Sequence, residues 1–304
     1  MLSYFKILRS IWIHPANRGQ RLGAIARSLY WWLAYRLPQR SVQRQVFGYP
    51  VRLDPQGHET RNIVYYTPQA EYDTTRFFQR YLRPGDAVLD IGANIGLYSL
   101  LSASLVGERG RVHAFEPCPA TFDRLSRTLT DNQLTWVQGH PVALGEQEAI
   151  LQFTTDLDTV NHVMADAESR SSSMPVACRR LDDVVDVQQQ YAIAKLDVEG
   201  FELSVLRGAS RLLGHQGVDV LIVEINGALY RYGIQADDLV SYLFQLGYDA
   251  ALYDATAHRF AWILDPCDAW GNVWFISQRH RDRVLARLQL SDRPADPKPV
   301  GNVV

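Results

Sequence analysis

The stretch of sequence that decides the fold is AVLDIGANIGLYSL, residues 87–100. An apolar run, a glycine-containing turn and a second apolar run predict a buried strand, a tight turn and a helix. Asp90 lies at the end of the predicted strand. Gly92 and Gly96 let the backbone turn sharply and approach a ligand, and Asn94 tolerates left-handed dihedral angles better than most residues do. The stretch therefore predicts a ligand-binding turn at the end of a buried strand.

Strands and helices alternate along the chain on both sides of this turn. The pattern predicts strands at 87–91, 111–116, 134–139, 192–197 and 218–225. It predicts helices at 95–106, 119–131, 200–213 and 235–246. Such alternation is typical of βαβ units and predicts an α/β fold with a doubly wound, mostly parallel sheet, closed by strands at 248–253 and 272–277.

The alternation is interrupted between residues 149 and 185. AILQFTT and PVACRRLDDVV have no predicted helix between them, and the segment 155–174 is polar and rich in serine. We expect an inserted β-hairpin with a long loop. Because binding loops tend to be long and irregular, this segment is expected to contribute to ligand specificity.

Composition excludes several classes of protein. The net charge of −2 gives no reason to expect a nucleic-acid partner. Cys118, Cys178 and Cys267 show no CxxC spacing, which disfavours a zinc site or a disulfide framework and favours the reduced thiols of a cytoplasmic protein. The apolar stretch LYWWLAY at 29–35 is too short to span a bilayer, and no signal-peptide pattern is found.

The chain divides into three predicted parts. Residues 1–50 contain no aspartate or glutamate but many arginines and tryptophans, and apolar residues recur at helical spacing near 22–35. This predicted helical extension has two interpretations: peripheral contact with an anionic membrane surface, or a cap on the domain or a dimer face. Residues 51–280 are predicted to form the α/β domain, and residues 281–304 a flexible tail.

Two acidic residues indicate which ligand the turn would hold. The phosphate-binding patterns GxxxxGK[ST] and GxGxxG are both absent. Asp90 would repel a pyrophosphate but suits a cationic amine. Glu116 ends the next strand 26 positions later, near the spacing of an acid that accepts a ribose hydroxyl. An amine, a ribose and a close backbone approach together describe S-adenosylmethionine.

Five motifs resemble those of the FkbM-type family of S-adenosylmethionine-dependent methyltransferases: DIGANIGLYSL, HAFEPCPATFDRL, ALGE, LDDVV and KLDVEGFELSVLRGA. The resemblance covers about residues 60–278, and the last motif is the most specific. It implies a seven-stranded, Rossmann-like methyltransferase sheet with a final antiparallel strand. It also implies methyl transfer to an oxygen of a sugar, glycan or secondary metabolite. The family pattern implies these cofactor contacts: Asp90, Gly92, Asn94, Gly96 and Glu116, with Ala143 near the adenine.

Methyl transfer to a hydroxyl needs alignment of the acceptor, exclusion of water and a base. Asp197 and Glu199 flank the end of the fourth predicted strand, where alternation would direct both side chains to one face, and one of them is the predicted base. Lys195 shares that face and would keep a carboxylate ionised. His162, in the inserted segment, is a further candidate base if its loop covers the site.

Three alternatives remain open at this point. Asp197, Glu224 and Asn226 offer oxygen ligands for Mg²⁺, as in metal-dependent small-molecule O-methyltransferases, although Asn226 also suits a cap for the following turn. A dinucleotide-dependent dehydrogenase would share the sheet, but Asp90 and the missing GxGxxG oppose it. A non-catalytic cofactor-binding scaffold would keep the binding residues without turnover.

Overall fold

A computed structural model describes residues 2–34, 42–53, 62–63, 69, 71–157, 160–165, 168 and 172–290. Its strands are β1 (Val42–Val46), β2 (Tyr49–Leu53), β3 (Ala87–Ile91), β4 (Arg111–Phe115), β5 (Val137–His140), β6 (Ala143–Leu144), β7 (Ala149–Thr154), β8 (Ser173–Arg179), β9 (Tyr191–Leu196), β10 (Val218–Ile225), β11 (Tyr248–Asp254), β12 (Arg259–Ile263) and β13 (Gly271–Ser277). Its α-helices are α1 (Leu2–Ile13), α2 (Arg21–Ala34), α3 (Tyr72–Tyr81), α4 (Leu97–Val106), α5 (Pro119–Asp131), α6 (Glu202–Gly208), α7 (Ser210–Gly214), α8 (Ala236–Gln245) and α9 (Arg281–Leu288).

The main sheet is mostly parallel and doubly wound, as the sequence predicts. Among the described residues it has eight strands in the order β12-β11-β13-β10-β9-β3-β4-β5. The strand order reverses between β3 and β9, which are parallel neighbours with Asp90 opposite Lys195. Ligands of such sheets bind at the carboxyl ends of the strands beside this reversal. Asp90, Glu116 and Asp197 all lie at or just beyond those ends.

The predicted strand count of seven is too low by one. β13 is antiparallel to β10 and β11, which confirms the expected final antiparallel strand. The additional strand is β12, whose sequence RFAWI pairs with β11 in a hairpin at the sheet edge. RFAWI is largely apolar, but an apolar run of five residues does not by itself distinguish a strand from other structure.

The central strands are specified by continuous apolar runs. All five residues of β3 and all six of β9 are buried, as expected for parallel strands covered by helices on both faces. One face of the sheet packs on α3, α4 and α9, with Phe77, Leu101 and Val284 in that core. The other face packs on α6, α7 and α8, with Val205, Leu212 and Leu239.

The predicted insertion is a separate small sheet in the order β6-β8-β7. β7 and β8 form the antiparallel hairpin, and β6 pairs with β8 in parallel. Its inner face contributes Phe153, Val163 and Val176 to a third apolar cluster beside the carboxyl ends of β4 and β5. Parts of the loop at 155–174 lie outside the described residues.

The three predicted parts of the chain have different boundaries in the structure. Residues 1–50 contain α1 and α2, but the boundary at 50/51 falls inside the β1–β2 hairpin, where Gln45 faces Pro50. The prediction of a flexible tail from residue 281 is wrong for residues 281–288, which form a helix. α9 occupies 281–288 and buries Val284, Leu285 and Leu288. Residues 291–304 lie outside the described residues. Across the described chain, none of the helices has the length and apolar content needed to span a bilayer.

Candidate active site

The turn after β3 has the backbone conformation that its sequence predicts. Its glycines, however, make room for neighbouring protein atoms. Gly92, Asn94 and Gly96 all have positive φ values, of 83°, 50° and 91°. A Cβ atom on Gly92 would lie 1.9 Å from the carbonyl oxygen of Asp197, and one on Gly96 would lie 2.5 Å from Leu125 Cδ1. Gly92 therefore allows two loops of the site to touch, and Gly96 allows α5 to pack closely.

Glu116 is held firmly at the end of β4. Its Oε2 accepts a hydrogen bond from the backbone N–H of Asn94 at 3.0 Å, and its Oε1 accepts one from Cys118 N–H at 2.9 Å. Burial raises the pKa of Glu116 to about 7. Each carboxylate oxygen can accept a further hydrogen bond, so the side chain is pre-oriented for a ligand hydroxyl.

A cavity that is partly open to solvent lies over the carboxyl ends of β3, β4 and β9. Of the predicted residues, Gly92, Asn94, Glu116, Ala143, Asp197 and Glu199 line it. The rest of the wall is mainly apolar and includes Phe115, Val142, Leu144, Phe153, Val163 and Phe201. One end thus suits a flat apolar group, and the carboxylates can accept hydrogen bonds.

Asp90 does not line this cavity. Its side chain is buried, and its carboxylate accepts a hydrogen bond from Ser99 Oγ at 2.5 Å. Burial raises the pKa of Asp90 to about 6, although the nearby Lys195 opposes the shift. Asp90 therefore lies outside the cavity in which a direct contact with a ligand amine is expected. Asp90 instead joins β3 to α4 and to Lys195.

Buried Lys195 and partly buried Asp197 form an ion pair. Lys195 Nζ lies 2.7 Å from Asp197 Oδ2 and 4.8 Å from the ring centre of Tyr98. Burial favours the neutral lysine, but the carboxylates of Asp197 and Glu71 outweigh it and raise the pKa of Lys195. Burial likewise opposes ionisation of Asp197, yet Lys195 holds its pKa below the usual value. Both groups are therefore charged at neutral pH.

Glu199 and Glu224 complete a carboxylate cluster around this pair. Each of Asp197, Glu199 and Glu224 places one carboxylate oxygen within 4.8 Å of the others. Burial, followed by repulsion from Asp197, raises the pKa of Glu199 to about 7. The same two causes raise the pKa of Glu224, and a hydrogen bond with Asp197 adds to the shift. The cluster thus combines one ionised carboxylate with two carboxyl groups whose pKa values are raised.

The loop that presents these carboxylates is not an extended strand, so the predicted alternation is the wrong reason for their convergence. β9 ends at Leu196, and Glu199 has a φ of 57°. Glu202 Oε1 accepts hydrogen bonds from the N–H groups of Val198 and Gly200, both at 3.1 Å. Glu202 therefore stabilises the loop, consistent with its place at the start of α6.

The predicted metal-ligand set is only partly assembled. Asn226 Oδ1 accepts a hydrogen bond from Ala228 N–H at 2.7 Å and so caps the 3₁₀ helix at Gly227–Tyr232. The oxygen atoms that converge belong to Asp197, Glu199 and Glu224. Lys195 already provides a positive charge at Asp197, so the negative charge of the cluster is balanced in part by the chain itself.

His162 has a different environment from that of a catalytic base. Its side chain is buried, Nδ1 lies 2.9 Å from the Val160 carbonyl oxygen, and Nε2 lies 3.1 Å from Glu168 Oε2. The neighbouring Asn161 and Val163 line the cavity, but His162 does not. The role of His162 as base therefore stays a prediction, and in this arrangement both ring nitrogens are occupied within the inserted segment.

Sequence reasoning missed a polar group on the far side of Lys195. Glu71, just before α3, accepts hydrogen bonds from Tyr98 Oη at 2.9 Å and from Asn272 Nδ2 at 3.0 Å. Asn272 lies on β13 directly opposite Glu224 of β10. These residues are far apart in the sequence, and only the closing of the sheet brings them together. The apolar wall residues were missed because they resemble ordinary core residues.

The comparison with family models decides which fold family this is. Residues 90–250 match the model of the methyltransferase FkbM domain, which is more than half of the chain. The chain belongs to this family. The matched region begins at Asp90 and contains the turn, Glu116, the inserted sheet and the carboxylate cluster, so the family match and the cavity coincide.

Individual relatives are more distant. The chain is 30% identical to Methyltransferase 1 of Beauveria bassiana over 148 residues, covering 41% of this chain and 59% of that protein. It is 27% identical over 191 residues to the hexuronic acid methyltransferase AglP of Haloferax volcanii, covering 61% and 74%. It is 30% identical over 172 residues to the 31-O-demethyl-FK506 methyltransferase FkbM of Streptomyces tacrolimicus, covering 45% and 66%. The match thus spans between about three fifths and three quarters of these relatives.

Proposed function

We propose that this chain transfers a methyl group from S-adenosylmethionine to a hydroxyl oxygen of a sugar, glycan or secondary metabolite. The observation that carries the proposal is one cavity lined by both Glu116, a pre-oriented hydrogen-bond acceptor, and Glu199, a carboxylate whose pKa is near neutrality. Binding and proton removal would then occur in the same cavity. Family membership supports the methyl transfer.

The residues of the cavity fit S-adenosylmethionine. Glu116 would accept hydrogen bonds from the ribose hydroxyls, since its two oxygens are already oriented by Asn94 and Cys118. Ala143 and Phe201 belong to the apolar wall that would enclose the adenine. Asp197, which is ionised and lines the cavity, would attract the positively charged amine. When bound, the cofactor would supply an electrophilic methyl group.

Glu199 is better suited than Asp197 to be the base. Lys195 stabilises the ionised form of Asp197 and so weakens its affinity for a proton. Glu199 has the opposite property, because burial and the charge of Asp197 raise its pKa to about 7. A base works best when its pKa lies near the working pH. Glu199 would take the hydroxyl proton while the acceptor oxygen bonds to the methyl carbon and the carbon–sulfur bond breaks.

The names of two relatives support an oxygen acceptor. One is described as a hexuronic acid methyltransferase and another as a 31-O-demethyl-FK506 methyltransferase. A hexuronic acid offers hydroxyl and carboxylate oxygens, and the second name specifies an O-linked methyl group, so both names agree with an oxygen acceptor. The acceptor would enter beside the carboxylate cluster, where Asn161 of the inserted segment also lines the cavity.

The experiment that tests this proposal separates binding from turnover in Glu199→Gln. Formation of S-adenosylhomocysteine is measured with a glucuronoside and with a hydroxylated macrolide as acceptors. Loss of the base should lower kcat by about 100-fold or more. The affinity for S-adenosylmethionine, measured by calorimetry, should change by less than about threefold, because Glu199 makes no contact that the ribose or adenine needs.

The control is Glu108→Gln, which removes an exposed carboxylate on the turn after α4 and should leave both quantities unchanged. A Glu199→Gln variant with the turnover of the wild type would contradict the assignment of the base. Turnover that requires an amine in place of an alcohol would contradict the assignment of the acceptor.

A further inference from the structure

The outward face of α2 is apolar. Ala24, Ser28 and Trp31 recur at helical spacing and are buried. The opposite face carries Leu22 and Tyr30, whose exposed fractions are 76% and 65%. A helix that only covers a domain normally turns a polar face to the solvent. α2 instead exposes a second apolar face to solvent, in addition to the face that packs on the protein.

α1 extends the same surface. Trp12 and Ile13 near its end are exposed, and the guanidinium of Arg21 lies 5.2 Å from the centre of the Trp12 ring, which joins the two helices. We refer to Trp12, Ile13, Leu22, Leu29 and Tyr30 as the apolar face. These are five of the ten large hydrophobic residues that are exposed in the part of the chain that the structure describes. Apolar exposure is therefore concentrated in one place.

The surroundings of the apolar face are positively charged. Lys6 and Arg9 are exposed on α1, and Arg18 is exposed on the connection between α1 and α2. Residues 1–53 contain no aspartate or glutamate, although the chain as a whole has a net charge of −2. The charge is thus separated along the chain, with a cationic and apolar surface at one end.

We propose that the apolar face binds the surface of an anionic lipid bilayer. Trp12, Ile13, Leu22, Leu29 and Tyr30 would enter the boundary between headgroups and acyl chains, with both helices lying in the plane of the membrane. Lys6, Arg9 and Arg18 would contact the anionic headgroups. Aromatic residues with a polar atom, such as Trp12 and Tyr30, are favoured at this depth.

Two other occupants fit these observations less well. A second copy of the chain would place Lys6, Arg9 and Arg18 against the same cations of its partner in a symmetric interface, which is repulsive. A nucleic acid would satisfy the cations but would leave the aliphatic side chains of Ile13, Leu22 and Leu29 without an apolar partner. A lipid surface satisfies both the charge and the apolar area.

The position of the helices gives this contact a consequence for the site. The ring of His14, just after α1, lies edge-on to Tyr72 at 6.5 Å between centres. Tyr72 follows Glu71, whose carboxylate contacts Tyr98 and Asn272 beside Lys195. The helices therefore pack next to the catalytic edge of the sheet, and membrane binding would bring that edge near the bilayer surface. The lipid contact itself does not depend on the proposed reaction.

Vesicle co-sedimentation tests the inference with the full chain. We expect binding to phosphatidylcholine vesicles that contain phosphatidylserine, weak binding to phosphatidylcholine alone, and weaker binding as salt is raised. The double variant Leu22→Glu with Tyr30→Glu should lower partitioning by about tenfold or more, since both side chains lose their apolar contact. The triple variant Lys6→Glu, Arg9→Glu and Arg18→Glu should remove the preference for anionic vesicles.

Leu264→Glu is the matched control, because Leu264 is 90% exposed but lies at the end of β12. It should bind vesicles as the wild type does. Unchanged vesicle binding by the Leu22/Tyr30 variant, with its fold verified by circular dichroism, would overturn the inference. The inference would also be overturned if the wild-type chain did not bind anionic vesicles but formed a dimer that the Leu22/Tyr30 variant dissociates. A chain whose basic residues are needed only for binding an RNA oligonucleotide would overturn it as well.

Discussion

At the scale of single residues, the site depends on carboxyl groups that have different protonation states. Lys195 keeps Asp197 ionised, whereas Glu199 and Glu224 are shifted towards the protonated form by burial and by the charge of Asp197. Neighbouring carboxyl groups with separated pKa values are a common basis of acid and base roles in one site. Lys195 is thus a positioning residue: it fixes Asp197 and, through Asp197, sets the proton affinity of Glu199.

This arrangement predicts the pH dependence of turnover. Glu199 must be ionised to accept a proton, and its pKa is raised to about 7. The rate should therefore be constant above about pH 8 and fall by about tenfold per unit well below pH 7. The measurement is kcat between pH 5.5 and pH 9. A profile that is flat from pH 5.5 would contradict the raised pKa on which the assignment of Glu199 rests, because a base with an ordinary glutamate pKa would remain ionised there.

Sequence reasoning was most successful for residues that follow directly on a strand. Glu116 and Asp197 could be found because strand ends converge at one edge of a parallel sheet. Asp90 satisfies the same pattern, but α4 covers it and Ser99 occupies its carboxylate. His162 lies outside the cavity lining, and its burial and its partners Val160 and Glu168 are tertiary features. No short-range pattern in the sequence encodes them.

At the scale of elements, the turn after β3 and the loop after β9 are one unit. Gly92 packs directly on the backbone of Asp197, and Asp197 N–H donates to the Ile91 carbonyl. Glu202 holds the other side of the loop. A change in either segment would be transmitted to both the cofactor end and the carboxylate end of the cavity.

Gly92→Ala should therefore damage stability and binding together. Its Cβ would lie 1.9 Å from the Asp197 carbonyl oxygen at a φ of +83°. Gly85→Ala is a matched control, because Gly85 has a φ of +92° but has nothing within 4 Å of the added atom. The positive φ alone should cost about 1–2 kcal/mol in Gly85→Ala, and the collision should at least double that loss in Gly92→Ala.

Urea unfolding and calorimetric binding of S-adenosylmethionine measure the two effects of each variant. Gly85→Ala should keep its affinity, whereas Gly92→Ala should lose at least about tenfold. Equal losses of stability and affinity in the two variants would show that the contact with Asp197 has no special role.

At the scale of the whole molecule, the doubly wound, mostly parallel sheet was predictable and several attachments to it were not. Continuous apolar runs such as β3 and β10 define the parallel core, and the alternation with helices defines the crossover pattern. β12 is a short edge strand, and α9 is amphipathic but surrounded by polar sequence. Their structure depends on packing against β11 and α3, which a local pattern does not reveal.

The whole chain thus consists of a methyltransferase-family domain with a small inserted sheet over its cavity and a cationic helical pair at its side. The inserted sheet supplies Phe153 and Val163 to the cavity wall, and Tyr232 Oη donates a hydrogen bond to the Val163 carbonyl. The cavity is therefore built from three separate regions of the sequence. Its ligand is the central claim of this account.

The most direct test is calorimetric titration of the wild-type chain and of Glu116→Gln with S-adenosylmethionine at pH 8, where Glu116 is ionised, with NADH as the comparison ligand. We expect micromolar binding of S-adenosylmethionine, no binding of NADH, and an affinity about tenfold weaker in Glu116→Gln, with a melting temperature close to that of the wild type. Wild-type protein that binds NADH or neither ligand, or a Glu116→Gln variant that binds S-adenosylmethionine as tightly as the wild type, would contradict the account.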